Sequence, residues 1–190
     1  MKMLVTTWLF ALMLLLHLGV PTASAATNEE KRAEVRAMSK DSLDRLYKMQ
    51  PSAKRAIEGA AGYAVFSNFG MKILLLGGGS GSGLAVNNKT GKQTFMKMVE
   101  LQGGLGLGAK KFQVIFVFEN QKTLKHFINQ GWEFGGQTTA AAKYEDTGGA
   151  LQGAISVSPG VWMYQLTESG LAAEITAKGT KYYKNKDLNR

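Results

Sequence analysis

Leu74-Leu75-Leu76-Gly77-Gly78-Gly79-Ser80-Gly81-Ser82-Gly83-Leu84-Ala85-Val86-Asn87 is the stretch whose reading decides the fold. An apolar run enters it, five glycines and two serines cross it, and a second apolar run leaves it. A similar stretch, Gly103–Ala109, follows one strand's length later. Both invite assignment as phosphate-binding loops, and the spacing argues against it. A dinucleotide loop needs G-x-G-x-x-G/A between a strand and a helix, so that the pyrophosphate meets the helix N-terminus. Gly77–Gly83 fits that spacing in no register. Gly104–Ala109 fits it, but Lys110-Lys111 and the β-branched, aromatic run Gln113–Phe118 come next, which reads as a strand. Gly91-Lys92 is followed by Gln93, so a P-loop fails as well. Glycines two apart share one face of a strand and leave it bare, which permits close approach and sharp curvature. The two stretches are therefore sheet architecture.

Working outward, two helices precede the sheet. Thr27 and Glu30 form a capping box. The helix it opens is expected to run to about Met49, with Val35, Met38, Leu43, Leu46 and Met49 on its apolar side. Arg32, Arg36 and Lys40, four apart, line another face with Lys31 beside them. Pro51 suits the first turn of a short second helix ending near Glu58. Strands are expected at Tyr63–Phe66, Lys72–Leu76, Leu84–Val86, Gln93–Leu101, Gly104–Ala109 and Gln113–Phe118. Asn120 and Gly131 bracket one inserted helix whose buried face is Leu124, Phe127 and Ile128. Trp132–Gly136, a polar and Ala-rich strand and a Gly148-Gly149 turn come next, followed by strands at Leu151–Val157, Val161–Leu166 and Ala172–Ala177 and the basic, aromatic tail Lys181–Lys186. The class is α+β: N-terminal helices, then a strongly curved, Gly-rich antiparallel sheet or partly closed barrel with one inserted helix.

The chain has 190 residues, three prolines and no cysteine. Lys2, the apolar run Leu4–Val20 and Ala23-Ser24-Ala25 have the layout of a secretory signal peptide. Residues 1–25 are thus expected to be removed and 26–190 to form one domain, exported to the periplasm or beyond the cell. Lacking a cysteine, it carries neither a disulfide framework nor a lipoprotein anchor. The net charge is +9, or +8 once Lys2 is gone. Export argues against nucleic acid as the polyanion and leaves an anionic membrane surface.

Catalytic signals are sparse. His126 is the one histidine outside the leader, and it sits on the inserted helix without a motif around it. G-x-S-x-G is absent. One histidine and no cysteine speak against a zinc site. Glu133 and the pair Glu145-Asp146 are the carboxylates that could do acid/base work, and both read more simply as rim or turn acids. The expectation is a non-catalytic protein with no cofactor and no metal.

Taken in order, Leu46-Tyr47-Lys48, Ala60–Phe66, Gly77–Gly83, Gly103–Ala109, Gly131–Gly135 and Gly179–Tyr183 resemble the SYLF lipid-binding domain family in its bacterial secreted form. The resemblance implies binding of acidic phospholipids through an N-terminal amphipathic helix and a basic surface. Carried over by position, the lipid-contacting residues are Lys31, Arg32, Arg36 and Lys40. Some members also bind actin filaments, a property not carried to an exported chain. Ser67-Asn68 after Phe66 departs from the proline of many relatives. The expected partner is an anionic phospholipid surface, with an envelope protein as the alternative.

Overall fold

The structure, a computed structural model, describes residues 26–73, 76–103, 108–134, 149–172 and 179–190. The leader (1–25), the Glu145-Asp146 pair and nearly all of the expected strand at Ala172–Ala177 lie outside the described residues.

Helix α1 spans Asn28–Met49 and begins where its capping box dictates. The Thr27 hydroxyl accepts from the Glu30 N–H at 3.2 Å, and the Glu30 carboxylate accepts from the Thr27 N–H at 2.6 Å. Its packing face is Val35, Ser39, Ser42 and Leu46. Met49, expected on that face, is instead exposed, because Gln50 ends the helix with its N–H on the Leu46 carbonyl. The two serines let α1 lie close to the sheet, and Ser42 satisfies its buried hydroxyl by donating to the Met38 carbonyl at 2.8 Å. Helix α2, Ser52–Gly59, buries Ala53 and Ile57.

Two strands replace the three short ones expected between Tyr63 and Val86. β1 (Gly62–Ile73) and β2 (Leu76–Asn87) pair antiparallel from Gly62↔Asn87 to Ile73↔Leu76. Glycine does not end β2, because β2 has a ladder on both sides, β1 and β3 (Gln93–Gly103), and something else fills its bare face. The Phe66 ring occupies the place of a Gly83 side chain, and Met98 crowds that of Gly81. β4 is one strand, Gly108–Phe118, where a break at Lys110-Lys111 had been expected. Residues 104–107 lie outside the described part. Helix α3 (Gln121–Gln130) follows, capped by the Asn120 carboxamide on the Thr123 N–H at 3.0 Å and closed by Gly131 at φ +75°. β5 is Trp132–Phe134, β6 Ile155–Ser158, β7 Val161–Thr167, β8 Gly170–Leu171 and β9 Thr180–Lys184. β6 starts later than Leu151 because the turn at 149–153 includes Gly149 and Gly153 at positive φ. The tail, given no element by its sequence, is β9 plus a 3₁₀ turn, Asp187–Asn189.

The described strands form one antiparallel sheet in the order β5-β9-β3-β2-β1-β4-β7-β6, with β8 on β7. It curls into a half-barrel. The concave side encloses α3 and an aromatic cluster around Phe66, whose ring stands edge-on to Tyr182 at 4.7 Å, Phe116 at 6.1 Å and Phe127 at 6.1 Å. The other side packs Val65, Ile115, Val117 and Tyr164 against Leu46 of α1 and Ala53 and Ile57 of α2. The mixed α+β class and the curled, partly closed sheet match the sequence expectation.

Two glycine substitutions should therefore diverge. Gly83→Val drives a branched side chain into the Phe66 ring and should cost about 1–3 kcal/mol in urea unfolding. Gly59→Ala has open space around its new methyl and should stabilise by about 0.4–1 kcal/mol.

Candidate functional site

The N-terminal half of α1 crosses the rim of the sheet where β3 begins and β9 ends. Between them is a cleft of about 360 Å³. Arg32 and Arg36 enter from α1, Lys92 from the turn before β3, Lys184 from the end of β9 and Arg190 from the tail. Among the described residues the one side-chain carboxylate lining the cleft is Glu29.

Each arginine is fixed differently. Arg36 donates its Nε–H to the Gln93 side-chain oxygen at 3.0 Å and lies over the Phe95 ring, 5.2 Å from its centre. Arg32 is half-buried and points its donors at the tail, Nε to the Leu188 carbonyl and Nη2 to the Arg190 main-chain oxygen, both at 2.9 Å. Glu29 bridges the two guanidinium groups at 3.2 Å each. Hydrogen bonds from Arg32 and then Arg36 hold its carboxyl below the usual carboxylate range. The bridge is thus fully formed above the ordinary carboxylate pKa and is lost as pH falls through the lowered value.

The tail that closes the cleft is held by Asn189. Its side-chain oxygen accepts from the Phe95 N–H at 3.0 Å, and its amide donates to the Phe95 carbonyl at 2.7 Å and the Asn185 carbonyl at 2.6 Å. The Asn185 N–H also reaches the Phe95 carbonyl at 3.0 Å. Phe95 is in effect paired with a strand that the tail only imitates.

Of the four residues singled out by sequence, the structure brings Arg32 and Arg36 together in the cleft. Lys31 is exposed in the first turn of α1. Lys40 is exposed further along and paired with Asp44 at 2.6 Å; that hydrogen bond raises its pKa. Sequence reasoning did not place Lys92, Lys184 and Arg190. The basic tail was visible, but not its docking beside α1. Glu133 is exposed on β5 opposite Lys181, and His126 is exposed on α3, far along the chain from any carboxylate of the cleft. Among the described residues no helix is long and apolar enough to cross a membrane.

A family model described as "Ysc84: Las17-binding protein actin regulator" matches residues 99–190, which supply β4 to β9, α3 and the tail side of the cleft. Residues 99–190 thus match the Ysc84, or SYLF, family. A curated relative, "Beta cell expansion factor A" of Aeromonas veronii, is 36% identical over 162 residues. That alignment takes in 85% of this chain, including α1 or most of it, and 60% of the relative, so the chain spans less than two thirds of the relative's length. The SYLF family is related to lipid binding and actin regulation.

The tail contacts give a direct test. Asn189→Ala should cost about 1–3 kcal/mol, because it strips partners from Phe95 on both its N–H and its carbonyl. Hydrogen exchange at the Phe95 amide should speed up while the β1–β2 amides stay protected.

Proposed function

We propose that this SYLF domain is a non-catalytic, exported cell-envelope module that binds acidic phospholipid headgroups reversibly through the cleft between α1, β3 and the tail. The observation that carries the reading is the composition of that cleft: five cationic side chains against one side-chain carboxylate among the described residues. Arg36 is the best-prepared contact. Its planar fork is stacked on Phe95 and oriented by Gln93, so little rotamer freedom remains to be lost when an oxyanion binds. Each Lys or Arg near an anionic surface contributes about 1 kcal/mol. The cleft therefore supports weak, salt-sensitive binding, with Lys31 and Lys40 on the exposed flank of α1 adding to the field. The leader layout, the family's lipid-binding theme and the net +8 of residues 26–190 support the same reading. The actin regulator in the family description stays with that family, since an exported chain does not meet actin.

The test is flotation of residues 26–190 with vesicles containing phosphatidylglycerol and cardiolipin, against purely zwitterionic vesicles, at low and physiological salt. Binding to the anionic set is expected to survive physiological salt, and the Arg36→Ala, Lys184→Ala double variant should weaken it about thirtyfold. Glu29→Gln should strengthen it, because it frees both guanidinium groups from their internal partner. Binding confined to low salt would be the general electrostatics of a basic protein and would overturn the reading. No binding to either set would leave the partner-protein alternative.

A further inference from the structure

A second cavity, of about 420 Å³, lies on the concave side of the sheet, which α1 does not touch. Its floor is apolar: Phe118 at the end of β4, Phe127 from α3, Trp132 at the start of β5 and Val161 at the start of β7. The Phe118 and Phe127 rings are 5.0 Å apart, and Trp132 stands edge-on to Phe127 at 6.1 Å. The floor is part of the closely packed aromatic cluster, so it is rigid. The rim is polar. Lys122 and His126, one turn apart on α3, form one side, with Thr123 between them and Ser158 opposite. Among the described residues no carboxylate lines it.

We infer that this cavity binds a small amphiphilic carboxylate, its apolar body against Phe118, Phe127 and Trp132 and its carboxylate on Lys122 and His126. The volume falls within the range of roughly 300–1,000 Å³ typical of small-molecule sites, which pair apolar walls with a few placed polar groups. The charge at the mouth decides the class. Lys122 brings a cation, His126 a ring N–H donor and Ser158 a hydroxyl; Glu119, next to Asn120 in the chain, is not among the described lining residues and accepts from the Trp162 ring N–H at 2.8 Å. A cationic amphiphile of equal length would meet Lys122 with like charge. A neutral one would gain the floor and forgo the charge-assisted bonds. The cavity also gives His126 a role that its helix position alone did not suggest. It is independent of the headgroup cleft, which is built from other residues on the other side of the sheet.

The experiment is calorimetric titration of residues 26–190 with monomeric decanoate, decanol and decyltrimethylammonium, paired with tryptophan fluorescence. Saturable binding of decanoate at one site is expected, with a change in Trp132 emission that disappears in Trp132→Phe. Lys122→Ala with His126→Ala should weaken decanoate about tenfold, the scale of losing charge-assisted hydrogen bonds, and leave decanol unchanged. Ser158→Trp, which fills the mouth from the half-buried end of β6, should abolish binding of both. Circular dichroism establishes that each variant is folded. The inference is overturned if decanoate does not saturate, if decyltrimethylammonium binds as tightly as decanoate, or if folded Ser158→Trp binds decanoate like the wild type.

Discussion

The fold depends on one steric exchange: the Phe66 ring lies where residue 83 would otherwise carry a side chain. β2 presents Gly79, Gly81 and Gly83 to the concave face, and β1 sends Phe66 across that bare backbone. From there the ring meets Phe116, Phe127 and Tyr182, which come from β4, α3 and β9. One side chain thus ties together elements separated by more than a hundred residues. Curvature follows from the same exchange. A strand lacking Cβ atoms on one face lets its neighbours close toward that face, and the sheet curls around the aromatic cluster instead of lying flat. Within this concave side the Tyr182 hydroxyl is pushed far above the ordinary tyrosine range by burial, with the Glu100 charge adding to it. Glu100 and Thr180, opposite each other on β3 and β9, and Gln165 on β7 are also buried, so the sheet carries polar side chains among its apolar ones.

The second organising constraint is the docking of the tail. β9 inserts between β5 and β3, so the last strand of the chain is internal to the sheet. Beyond it Asn185 and Asn189 bind Phe95, and Arg32 binds the main-chain oxygens of Leu188 and Arg190. α1 and the tail hold each other across the rim, at a separation of about 156 residues in sequence. The cleft exists only where these two ends meet. Its architecture and the stability of the rim therefore rest on the same hydrogen bonds, and the site is less a depression in the sheet than a seam between first helix and last strand.

What could be read from the sequence was local. The capping box at Thr27 and Glu30 and the bracket of Asn120 and Gly131 placed two helices, because a cap is settled within four residues. The glycine alternation gave the sheet and its curvature. It did not give strand length, since whether Gly77–Gly83 is a turn or a strand is decided by ladders from both neighbours and by Phe66. β9 was missed although Thr180, Tyr182 and Lys181 do alternate buried and exposed. Five residues are too few for a period to stand out, and the Met98↔Tyr182 register is a long-range fact. The site divided along the same line. Arg32 and Arg36 were visible because four residues on a helix share a face. Lys92, Lys184 and Arg190 join them only through tertiary contacts.

Glu29 shows why the arginines of the cleft can be close without cost. Two guanidinium groups one helical turn apart repel, and like-charged pairs at that spacing destabilise a helix by a few tenths of a kcal/mol. A carboxylate one turn earlier, near the helix N-terminus where negative charge is favoured, cancels that repulsion. It also sets both forks in one orientation. The same bond that organises the pair occupies it, so any external anion competes with a partner already in place. Glu29 is well exposed, however, at 70% of its side-chain surface, and an exposed ion pair is worth little. The competition is therefore shallow. The arrangement keeps two arginines aligned in the unbound protein while leaving them available to a more highly charged oxyanion, which can gain from Lys92 and Lys184 what Glu29 does not reach.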